Sequence, residues 1–120
     1  MRAVVVGGQA FTFRTSTRGG SCQAHAVRAD TGDRFGPDFT GATVEDASRA
    51  ATAWLEWQHA HATALAALQQ AERIYHRSVA DHAFGRRGED EAHLRARRES
   101  LQQVEIARTR LDEVRGRRPA

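Results

Sequence analysis

The sequence predicts an α+β fold: a small antiparallel β-meander of two to three strands, followed by a long antiparallel helical hairpin of coiled-coil type. Three observations predict it. Apolar and polar residues alternate between Phe11 and Val27, the period of a strand with one buried face. Glycine and proline are then absent from Val44 to Phe84. That stretch and the one after it both carry a seven-residue apolar period, interrupted by "GRRG" at 85–88. The expected organisation is one domain over 1–120, with the meander at 1–42, a first helix at 43–84, a turn at 85–88, a second helix at 89–115 and a basic tail at 116–120.

The chain begins with "AVVVGG" at 3–8, which looks like the first strand of a dinucleotide-binding fold. That fingerprint needs G-x-G-x-x-G opening a helix, so that the helix N-terminus meets a pyrophosphate. Here Gly7 and Gly8 precede "QAFTFRTST", which alternates like a strand, so the glycine pair reads as a turn. Phe11, Phe13 and Thr15 share one face of the first meander strand. "RGG" at 18–20 turns the chain, and Cys22, Ala24 and Ala26 form a small-residue row suited to close approach of a helix. "DTGD" at 30–33 is a second turn. A short third strand is expected around Phe35, ended early by Gly36 and Pro37. Such a meander is too small to stand alone and needs a helix on it.

"GATVEDA" starts that helix. Thr43 is an N-cap, and Glu45 and Asp46 suit the positive end of the dipole. At ~1.5 Å per residue the helix is ~60 Å long. One core position is Val44, Ala51, Gln58, Leu65, Glu72 and Val79; the other is Ala47, Trp54, His61, Leu68, Tyr75 and His82. In the second helix Leu94, Leu101, Val104 and Leu111 are the apolar core positions, with Arg97, Arg108 and Arg115 between them. Folding at 85–88 opposes residues whose numbers total about 173. Leu68 then lies near Val104, His61 near Leu111, and Glu72 within reach of Arg97 or Arg98. The second helix ends near Leu55, so the sheet must cover Val44 to Trp54.

Composition limits the chemistry. All eighteen basic residues are arginine, so lysine nucleophiles and Schiff bases are excluded. The net charge of +3 is unevenly spread: five Arg face three acids over 1–43, three face five over 44–84, and ten face seven over 85–120. The single cysteine, Cys22, cannot form an intramolecular disulfide, and no stretch has the ~18 apolar residues of a membrane span. A cytoplasmic protein without membrane attachment is expected.

No catalytic, cofactor-binding or metal-binding constellation emerges. Glu56-x-x-His59 has the spacing used in di-iron bundles, but it faces away from the seam, and Asp90-x-x-His93 lies at the far end of the hairpin. A bundle metal protein is therefore the weakest alternative. His59 and His61 lie ~200° apart around the helix and cannot share an ion. His61 and His82 read as hydrogen-bonding residues that set register, with a pH-sensitive contact as the sharper alternative. No nucleophile elbow surrounds a serine, and Cys22 has no motif.

Two binding readings remain. The stripe of Trp54, Trp57, His61, Leu65, Leu68, Tyr75 and Val79, facing Leu101, Val104 and Leu111, is richer than an arginine-interrupted second helix can bury. It points to a non-enzymatic interaction or scaffolding module that forms a homodimer or docks on a larger protein assembly. Alternatively, the Arg-rich end could contact nucleic-acid phosphates through Arg108, Arg110, Arg115, Arg117 and Arg118. Asp112 and Glu113 interrupt that run, and no aromatic residue offers base stacking.

Two strands, a short third strand and then "GATVEDASRAATAWLEW" resembles the HicB-like antitoxins, in which a three-stranded sheet feeds a helix through a Gly-x-Thr-x-Glu-x-Ala-like start. The matching residues are Gly41, Thr43, Glu45 and Ala47, within residues 10–57. The resemblance implies toxin and operator binding; the helical hairpin has no place in that pattern.

Overall fold

The computed structural model describes residues 3–84 and 91–119. It contains β1 (Val4–Val6), β2 (Gln9–Arg18), β3 (Ser21–Arg28), β4 (Arg34–Gly41), α1 (Val44–Phe84) and α2 (Glu91–Gly116). The strands form one antiparallel sheet in the order β1-β2-β3-β4, followed by the two helices. The turn expected at 85–88, the helix start at 89–90 and the His82 side chain lie outside the described residues.

Four strands replace the expected two or three. The apolar run before the first glycine pair is itself a strand, with Val4 opposite Phe11 and Val6 opposite Gln9. Gly7 and Gly8 both take positive φ, 59° and 79°, as a two-residue turn twisted to match its strands demands. This is hairpin geometry and not a phosphate loop. The second correction concerns β4, which does not stop at Gly36 and Pro37. Its register with β3 shifts there: Ala26 faces Phe35, but Ala24 faces Phe39. The extra β4 residues form an irregularity in an edge strand, where the missing N–H of Pro37 costs no ladder bond.

The small-residue row of β3 lies under α1. Ala24 and Ala26 are buried, as are Ala47 and Ala51 of the helix at 0 % exposure and Leu55 at 2 %. Phe11, Phe13, Ala26, Ala51 and Leu55 form the core cluster, with Phe35, Phe39 and Trp54 packed against it. Methyl-sized side chains let the helix backbone come close, so few large residues are needed to close the core. The helix start is fixed locally: the Asp46 amide donates to Thr43 Oγ1 at 3.0 Å, and the Ala47 amide to the Thr43 carbonyl at 3.1 Å.

The chain divides into two compact units. One holds the sheet and α1 as far as His59, joined by Arg118; the other is Ala60–Arg117. In the second unit burial follows steps of three and four. On α1 the protected positions include His61, Ala64, Leu65, Leu68, Ala71, Glu72, Tyr75, Ser78 and Val79; on α2 they are Leu94, Arg97, Ser100, Val104, Ala107, Leu111 and Val114. The expected register is therefore shifted on α2. Ser100, Ala107 and Val114 take the places assigned to Leu101, Arg108 and Arg115, and Leu101 is 40 % exposed. On α1 Leu65, Glu72 and Val79 are half-buried, as Ala71 and Ser78 are. The buried Ser100 satisfies its hydroxyl by donating to the Arg97 carbonyl at 3.0 Å.

Candidate interaction surface

The ten residues of the expected stripe have four fates. Trp54 belongs to the sheet core: its ring centroid lies 5.9 Å from Phe35 and 6.1 Å from Phe39, so it is not offered to a partner. Val104 and Leu111 are buried. Trp57, His61, Leu65, Leu68, Tyr75 and Val79 are half-buried, and Leu101 is exposed. The Arg118 guanidinium stacks on Trp57 at 5.4 Å from the ring centroid. Sequence reasoning missed two exposed apolar side chains, Ile74 at 45 % and Ile106 at 54 %. It also missed the buried Leu55. Of the six leucines in the two helices only Leu101 is exposed, whereas alanines such as Ala53, Ala62 and Ala66 face solvent.

The candidate phosphate contacts are partly engaged within the chain. Arg108 reaches Glu72 of α1 at 3.8 Å, in the place expected for Arg97 or Arg98. Glu72 thus meets an arginine of α2, but not one of the two expected. Arg110 pairs with Glu113 at 3.6 Å along α2. Arg118 is held by Trp57. Arg115 and Arg117 remain exposed.

Among the described residues, no group of three or more His, Cys, Asp or Glu side chains is placed to hold a metal ion. His59, of the Glu56-x-x-His59 pair, lies against the β1–β2 turn, where a Cβ on Gly7 would collide with its imidazole. Asp90 lies outside the described residues. Cys22 is buried, its sulfur 3.6 Å from Thr17 Oγ1 and 3.9 Å from the Ala42 carbonyl. One polar cluster was not anticipated. On the sheet face opposite α1, His25 Nδ1 lies 3.4 Å and Arg34 Nη2 3.0 Å from the same Asp38 oxygen. The β4 irregularity turns Asp38 toward His25, which no linear spacing announces. With Asp38 half exposed, such pairs contribute ~0–1 kcal/mol.

Among the described residues no helix is long and apolar enough to cross a membrane. Compared with protein-family models, curated proteins and solved structures, the chain matches none.

Proposed function

We propose that the chain is a non-enzymatic interaction module whose two helices pack as an antiparallel coiled coil and self-associate as a homodimer. The observation that carries this reading is the placement of apolar side chains in the second unit. Alanine and serine hold five of its protected positions, Ala64, Ala71, Ser78, Ser100 and Ala107, while Ile74, Leu101 and Ile106 are 45 %, 40 % and 54 % exposed. A seam of small residues brings two helices close but buries little area, at roughly 25 cal/mol per Å² of apolar surface. The large side chains left outside gain by covering one another in a second copy. A cytoplasmic setting belongs to the same proposal, since the single cysteine is a buried free thiol.

Aspartate substitution at both Ile74 and Leu101 tests it. These positions are exposed, so the chain keeps its helix content, measured by circular dichroism, while sedimentation equilibrium shifts from dimer to monomer. A variant that sediments as the parent does would sink the proposal. The nucleic-acid alternative narrows to Arg115 and Arg117, the candidates without a partner side chain among the described residues. It calls for duplex binding that weakens steeply with salt and is lost when both are replaced by glutamine.

A further inference from the structure

The sheet has, among the described residues, an open edge beside a cleft. Among the described residues β1 pairs with β2 only as far as Phe11, whereas β2 continues to Arg18. In the two-residue hairpins on either side, Gln9 and Phe11 turn their backbone groups toward β1, and Arg18 turns its own toward β3. By that alternation Phe13, Thr15 and Thr17 direct their N–H and C=O groups at the uncovered edge. Directly inward lies a cleft of about 850 Å³, floored by Val4, Phe13 and Thr15 and walled by Val44, Ser48 and Thr52 of α1, with Glu45 and Arg49 at its side. On the outward face the same stretch of β2 carries Arg14 and Arg18. Both are exposed, and neither has a carboxylate partner among the described residues.

We infer that the β2 edge from Phe13 to Thr17 accepts an extended segment of a different protein as an added antiparallel strand, one that alternates apolar residues with acidic ones. Main-chain bonds to Phe13, Thr15 and Thr17 supply the pairing. Residues opposite those three point into the cleft and are apolar, where they meet Val4, Phe13 and Val44. Residues opposite Arg14, Ser16 and Arg18 share the outward face and are acidic, since opposite charges on neighbouring strands attract across one face. The same arginines argue against a second copy of this chain. Antiparallel pairing of two β2 edges about Thr15 would bring Arg14 of each copy into diagonal contact, and charges of one sign are a common guard against such edge-to-edge pairing. The surface is distinct from the helical one proposed above and does not depend on it.

Fluorescence anisotropy with the full chain and three synthetic octapeptides tests the inference. One alternates valine and glutamate, one alternates valine and arginine, and the third is the valine–glutamate peptide N-methylated at the amides that would face β2. The valine–glutamate peptide is expected to bind, with the valine–arginine and N-methylated peptides weaker by about tenfold or more. Replacing Arg14 and Arg18 by glutamate reverses the charge preference; both are exposed, so the sheet persists. No binding of the valine–glutamate peptide overturns the inference. So does discrimination below roughly threefold in either comparison, and so does binding that fades as the chain's own concentration rises, which would assign the edge to a second copy.

Discussion

Gly36 meets two demands at one position. Its φ of 102° lies where side chains are strained, and a Cβ there would stand 2.6 Å from the indole ring of Trp54. Strain and overpacking act together, so Gly36→Ala is expected to lower stability by about 2 kcal/mol or more in urea unfolding. A loss below about 0.5 kcal/mol would mean that Trp54 does not rest on that backbone. Thr43 is the opposite case, a residue whose role is local and readable from its neighbours. Its hydroxyl holds one otherwise unpaired amide of the first turn, and Thr43→Ala should cost about 1 kcal/mol, with Thr43→Ser restoring most of it. The helix start at Gly41, Thr43, Glu45 and Ala47 has this capping as its physical content. The cap, the hairpin glycines and the alternation of Phe11 and Phe13 were legible in the sequence because each depends on residues within a few positions. The sheet's cover of Trp54 was legible from the length of the second helix, but its neighbours Phe35 and Phe39 were not, because they come from a strand whose length the sequence hid.

At the scale of elements, the errors share a cause. β1 has three residues, too few for alternation to declare itself, and it is a strand because β2 is there to pair with. β4 passes through Gly36 and Pro37 because an edge strand tolerates an irregularity that a central strand would not. In α2 the leucines suggested one register and the small residues held another. Leu101 and Leu111 separate the two readings, since both are leucines on the same helix. Leu111 is 2 % exposed and Leu101 is 40 % exposed. Leu111→Ala should therefore cost about 2–5 kcal/mol by loss of transfer energy and opening of a cavity, and Leu101→Ala under about 1 kcal/mol. Equal losses would restore the leucine register. The ionic side of the site was illegible for the same reason, because which arginine meets Glu72 depends on a helix pairing that composition does not specify.

For the whole molecule, the composition of the core decides what the chain can do. Alanine rows close the sheet against α1, and alanine and serine recur among the protected positions of the two long helices, while Ile74, Leu101 and Ile106 stay exposed. A domain of this size holds a margin of about 5–15 kcal/mol, and leaving Ile74, Leu101 and Ile106 in water gains it nothing. Self-association would convert those side chains into stability, and the dimer is then the form in which the proposed module works. The charge distribution bears on specificity. The arginines of α2 are partly engaged within the chain, whereas Arg14 and Arg18 of the sheet have no carboxylate partner among the described residues, so an acidic partner is expected at the sheet and an apolar one at the helices.

The most direct measurement is the absolute mass of the chain in solution by light scattering during size exclusion, over a range of loading concentrations and at low and moderate salt. A mass of twice the chain that persists at moderate salt is the predicted result, since apolar contacts are not screened. A mass of one chain at every concentration would contradict the proposed self-association, because the exposed apolar side chains of the helices would then have no copy to cover them.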